Sequence, residues 1–299
     1  MRSAARARLL VLSSSAISST GGAAIKLCGL SAVQVAGLRA GVAAVVLAIL
    51  LRPPAPSWRG AAAAVGIAQG AMMLSFVVAN KLTTAASTIF LQATAPLYVV
   101  VLAPVLLRER TRARDLAYLA VFAAGLAAFF VGTDAVQETA PDPALGNLVA
   151  AASGAGWAAT ILGLRWLAAS AGREDPSRSS RDHATGADPA IAAVILANAF
   201  VFVACLPWTL PLPTSIGARD WLAVAWLGVV QIALAYALLT RGVRDVPAFE
   251  ASLLVLVEPV LSPVWAWLVH GERPGPWSLA GGALILGATA ARSLTDRRP

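Results

Sequence analysis

The chain has 299 residues, 58% of them hydrophobic and only 13% charged, with a mean hydropathy of +0.74. A soluble chain carries about 25% charged residues, so this composition excludes an ordinary water-facing globule and predicts an integral membrane protein. The net charge of +8 comes without a basic stripe with interleaved aromatics, an RNA-binding signature or a zinc-finger spacing, which excludes the common nucleic-acid modules.

The apolar runs are about 20 residues long, matching a hydrocarbon core of roughly 30 Å at 1.5 Å rise per residue. With charges, prolines and glycines as punctuation, ten spans are predicted, at 8–29, 33–51, 60–79, 84–107, 115–132, 145–168, 189–210, 221–240, 247–269 and 276–292. Arg2, Arg6 and Arg8 ahead of "LLVLSSSAISSTGGAA" imitate a signal peptide, but the spans that follow make it a retained first helix. Between spans six and seven, "SAGREDPSRSSRDHATGADP", Ser170 to Pro189, reads as a flexible polar linker. Cys28 and Cys205 both fall inside apolar runs, so no disulfide framework, metal cluster or cofactor site is expected.

Lys and Arg concentrate in cytoplasmic loops. With both termini inside, Arg2, Arg6, Arg8, Arg52, Arg59, Arg108, Arg110, Arg112, Arg114, Arg173, Arg178, Arg181, Arg241, Arg244, Arg292, Arg297 and Arg298 lie on that side. Lys81, Arg219 and Arg273 lie on the other, and Lys26, Arg39 and Arg165 fall within spans. The basic residues therefore fix an orientation. Trp58, Trp166, Trp208, Trp221 and Trp277 fall at span ends, as an aromatic belt requires.

Displacing the sequence by 163 residues pairs Trp58 with Trp221, Pro96 with Pro259, Glu109 with Glu272 and Arg110 with Arg273 without a gap. Five spans per repeat put the second half into the membrane upside down, which is an inverted-topology repeat. The expected units are 1–134 and 135–299. The segments "AASTIFLQATAPLYVVVLAPVLLRER" and "AFEASLLVLVEPVLSPVWAWLVHGER" resemble those of the drug/metabolite transporter superfamily, in particular ten-helix proteins with two EamA-like halves. The topology of that resemblance covers essentially the whole chain, and its motif covers the fourth and ninth spans. In the first half Arg108 stands where the family's usual ending has glycine before the glutamate. The resemblance implies an all-α membrane protein that transports small metabolites, often exporting amino acids or related solutes, through a central cavity.

Polar groups at a bilayer centre cost about 2.5–3.5 kcal/mol when ionised and normally face a cavity or a partner. Counted from the span ends, Gln69, Thr94, Trp157, Asn198, Gln231 and Glu258 fall near mid-depth on six different helices. Gln92, Tyr98 and Asn80 share the third and fourth spans, and Arg39 and Lys26 sit nearer the outer end. The bland reading for Gln and Asn is a hydrogen bond to a neighbouring helix. Arg39 lies within "GLRAG", whose Gly37 and Gly41 form a GxxxG packing motif as Gly66 and Gly70 do; its charge is expected to snorkel outward or to meet an anionic group. Glu109 and Glu272, beside Arg110 and Arg273, read as structural, and His183 and His270 as solvated.

Glu258 is the one carboxylate expected near the bilayer centre, suited to a substrate ammonium group or a coupling proton; the bland alternative is a protonated acid bonded to another helix. Pro96 and Pro259 are expected to kink both halves at equivalent depth. The leading expectation is a secondary transporter, an exporter of small polar metabolites with a proton as candidate co-substrate. A membrane-embedded transferase would want paired aspartates or a catalytic His, and a sensor or scaffold needs no mid-depth polar set. No GxxxxGK loop supports ATP-driven pumping. High Ala and Arg with only two Lys point to a GC-rich bacterial genome and an inner membrane.

Overall fold

The computed structural model describes residues 2–51, 60–106, 113–131, 135–174, 189–212, 216–242, 246, 251 and 254–295. Among them the regular structure is entirely helical apart from one isolated β-bridge between Gln137 and Ala140. The helices are α1 (Arg2–Ser18), α2 (Gly21–Leu27), α3 (Ala32–Leu51), α4 (Gly60–Leu82), α5 (Ala85–Gln92), α6 (Ala95–Leu106), α7 (Ala113–Val131) and α8 (Pro143–Glu174). They continue with α9 (Pro189–Thr209), α10 (Ala218–Gly242), α11 (Val257–His270) and α12 (Pro276–Thr295). Among the described residues, five segments are long and apolar enough to cross a bilayer unbroken: Ala32–Leu51, Gly60–Leu82, Pro143–Leu164, Ile191–Thr209 and Ala218–Gly242. The helices follow the apolar runs in order, and three of the runs are interrupted: the first between α1 and α2, the fourth between α5 and α6, and the ninth at Leu256 ahead of α11.

The division between α5 and α6 follows from Pro96. Its missing N–H and its ring prevent a bond to the carbonyl four residues back. The chain tightens instead: Thr94 N donates to Leu91 O at 3.2 Å and Leu97 N to Thr94 O at 2.8 Å. Ala93, at the turn, has φ −66° and ψ −5°. In the ninth span Leu256 turns with φ −64° and ψ −12° before α11 and Pro259. Leu256 is the residue that the 163-residue displacement aligns with Ala93, so both halves bend at the same place for the same covalent reason.

The division between α1 and α2 has another cause, and the first run is not the continuous helix expected. The Ser19 and Thr20 hydroxyls bond back to Ala16 O and Ile17 O, each at 2.7 Å, diverting the helix carbonyls, and two glycines restart the helix. α8 also differs from expectation: it continues to Glu174, five residues into the segment read as linker. Residues 175–188 lie outside the described set, as do Trp58, Glu109, His183 and most of the basic loop residues.

Without a hydrophobic drive between helices in lipid, close packing of small residues holds the bundle. Both GxxxG motifs serve one partner, α9. A methyl group on Gly37 would stand 2.7 Å from Cys205 Cβ, and one on Gly41 2.6 Å from the Phe202 ring. On the other flank, a methyl on Gly66 would stand 2.9 Å from Ala193 O, and one on Gly70 2.9 Å from the Phe200 ring. α9 is thus gripped between α3 and α4. Cys28 and Cys205 are buried free thiols, as their apolar surroundings predict. Trp208, Trp221 and Trp277 remain exposed near helix ends, in keeping with a belt, while Trp166 is exposed but lies within α8, which continues to Glu174.

Candidate functional site

The nine candidate residues do not form one ring. They fall in three places, which differ in what each side chain can still bind.

The first is a packed seam of α3, α4 and α9. Arg39 is buried there and does not snorkel; its Nη2 donates to Met73 O at 3.5 Å, and its Nε has no partner among the described residues. Gln69 and Asn198 are buried beside the α4–α9 contact. The Asn198 amide nitrogen donates to Val194 O in its own helix at 2.9 Å, while Gln69 Oε1 and Asn198 Oδ1 have no described partner.

The second surrounds the α5–α6 break. The run "SGAG" of α8 lets that break come close: a methyl on Gly154 would lie 2.7 Å from Leu91 O, and one on Gly156 3.0 Å from Met72 Cβ. Gln92 Nε2 donates to Ser153 Oγ at 3.0 Å and approaches Met72 Sδ at 3.3 Å. Tyr98 donates to Ala151 O at 3.3 Å. Thr94 is buried and satisfies itself, donating to Leu91 O at 2.6 Å. Trp157 is half-buried against the α3–α9 core.

The third surrounds the α1–α2 break. Gln231 sits within Trp226–Leu234, where α10 widens into a π-helical stretch, a form often found at functional sites. Its Nε2 donates to Ser18 O at 3.4 Å, and its Oε1 is buried without a described partner. Trp226 Nε1 donates to Thr20 Oγ1 at 3.0 Å and Trp265 Nε1 to Ser19 Oγ at 2.9 Å. Glu258 lies in the first turn of α11, where unpaired helix N–H groups gather. Ser262 and Trp265 follow it at the i+4 and i+7 positions and face Gly22 and Ser19, which turns Glu258 toward the same first span. It keeps some accessible surface deep within the fold, and no described group bonds to its carboxyl. The serine and tryptophan partners here were missed in the sequence; the cue was the hydroxyl-rich "SSSAISSTGG" inside an apolar run.

An apolar groove of about 500 Å³ runs between α2, α10 and α11, lined by Thr20, Leu27, Leu222, Trp226, Trp265 and Val269 among others. None of the nine candidates lines it, and Leu222, Trp226 and Val269 on its wall remain exposed.

Two groups at helix ends find partners. Glu272, read as structural, pairs with Lys26 at 3.0 Å with both side chains all but sealed from solvent. His270, expected to be solvated, is half-buried, and its Nε2 lies 2.9 Å from Ala23 O.

A match to the EamA-like transporter family covers residues 5–131 and 181–293. The chain belongs to the EamA-like transporter family. Two matched segments in one chain agree with a two-part protein of the drug/metabolite type, so this family member is a multi-pass membrane transporter. A crystal structure with 24% sequence identity superposes with a TM-score of 0.59 over 98% of both chains, a likeness of fold. Within the EamA-like fold, the fourth and ninth spans carry Ala95 and Glu258 at matched positions next to their turns.

Proposed function

We propose that this EamA-like transporter exports small polar metabolites, amino acids or related solutes, across the cytoplasmic membrane by alternating access of units 1–134 and 135–299. Both termini lie in the cytoplasm in this reading, as the arginine distribution favours. Glu258 binds the substrate's ammonium group or carries the coupling proton, and Gln231 with the Ser18 carbonyl offers further acceptors. Gln92, Tyr98 and Trp157 line the opposite wall, while Arg39, Gln69, Thr94 and Asn198 hold the scaffold.

One observation carries the reading: Glu258 is a deep carboxyl beside a helix break, with residual accessible surface and no described partner. An acid serving only to join two helices would be bonded to one of them. Comparing metabolites inside and outside cells with and without the protein identifies the solute. The Glu258→Gln protein in proteoliposomes then tests the residue. Uptake and pH dependence both unchanged from the parent remove Glu258 from the mechanism.

A further inference from the structure

The ends of four segments meet at the face that carries Glu272. Lys26 closes α2, Thr83 and Ala85 flank the turn into α5, Thr139 lies ahead of α8, and Glu272 follows α11. Gly271, with φ +66°, turns the chain after α11 so that the next side chain points back into the bundle. Glu272 Oε1 then accepts from Lys26 Nζ at 3.0 Å and from Thr139 Oγ1 at 3.1 Å, and its Oε2 accepts from Ala85 N at 2.9 Å, capping α5. Lys26 also donates to Thr83 O at 2.7 Å and to Thr139 O. Thr83 is tied in turn to Asn147 of α8 at 2.8 Å.

A charge pair at the end of membrane helices would ordinarily stand in water. Here the side chains are 2% and 1% exposed, so the four segments form a closed roof with the pair as its keystone. Such pairs add little net stability over apolar packing but are costly to half-dismantle. That property suits a contact that must be wholly made or wholly broken. The segments it joins also include one end of each of the two bent spans: Glu272 follows the end of the ninth and caps the start of the fourth.

We infer that the Lys26–Glu272 pair is the gate of the transport path on this face, holding it shut until the pair and its Thr83, Thr139 and Ala85 contacts part together. The inference rests on the transport reading above. In solute passage through this face, Lys26 and Glu272 separate and each is rehydrated.

The test labels a single cysteine at Gln92, in a chain whose Cys28 and Cys205 are replaced by alanine, with a membrane-impermeant thiol reagent from each face of the membrane. A separate Arg273→Cys chain, exposed next to Glu272, identifies which face is being labelled. Lys26→Met and Glu272→Gln are expected to speed labelling from the Glu272 face by about tenfold or more, since each leaves the other group unpaired in a buried place. Lys26→Arg, which keeps the charge, is expected to label near the parent rate, and Thr139→Val to fall between. Unchanged labelling in both charge-removing variants overturns the gate, and so does an equal rise from both faces, which marks a structural staple. Should Lys26→Met fail to fold, Glu272→Gln and Thr139→Val carry the test. Labelling needs no solute, so a negative result here is separate from the metabolite comparison that judges transport itself.

Discussion

The fourth and ninth spans bend at aligned residues with nearly the same backbone angles, yet they differ in what stands beside the bend. In the fourth, Thr94 donates its hydroxyl to Leu91 O and Ala95 offers only a methyl group. In the ninth, the position matching Ala95 is Glu258, which has no described partner. The bend is therefore common architecture, set by Pro96 and Pro259. The open chemistry belongs to one half alone. The two spans are also joined, because Glu272, past the end of the ninth, caps α5 at the start of the fourth.

The comparison can be broken at several points. The largest effect is expected where the two spans are tied: Lys26→Met strands the Glu272 carboxylate and should lower stability by about 3–5 kcal/mol, read as a drop in melting temperature in detergent. Next comes the asymmetry itself. Glu258→Ala should weaken transport roughly tenfold to hundredfold, the worth of a charge-assisted contact, and adding Ala95→Glu should not restore it; recovery in the double variant would make the two bends interchangeable. Pro96→Ala and Pro259→Ala each return a backbone donor and favour a straighter helix. Both should slow transport by similar factors of about three to ten, since the bends are equivalent; a large difference between them would break the architectural half of the comparison. The smallest effect is expected for Thr94→Val, about 0.5–1.5 kcal/mol of stability with transport retained, because its hydroxyl serves its own helix.

Much of this was legible in the sequence. Hydropathy gave the helices because lipid demands long apolar runs with internally bonded backbones, and Pro96 and Pro259 marked their bends through a covalent constraint. The GxxxG motifs announced close contacts, though not that Gly37, Gly41, Gly66 and Gly70 would converge on α9. The break at Ser19 and Thr20 was not foreseen, since hydroxyl back-bonding leaves a weaker trace than proline. Counting residues gives depth along a helix but not rotation about it. That is why Arg39, Gln69 and Asn198, at suitable heights, prove packed into a seam while Gln92 and Glu258 keep accessible surface. The Lys26–Glu272 pair joins residues far apart in the chain, so no local spacing announced it.

The grip of α3 and α4 on α9 has a mechanical consequence. α9 belongs to the second sequence half and its two neighbours to the first, yet at Gly37, Gly41, Gly66 and Gly70 there is no room for even a methyl group between them. Interdigitation that tight resists shear, so the proposed movement of unit 1–134 against unit 135–299 has to part these contacts or carry α9 along with α3 and α4.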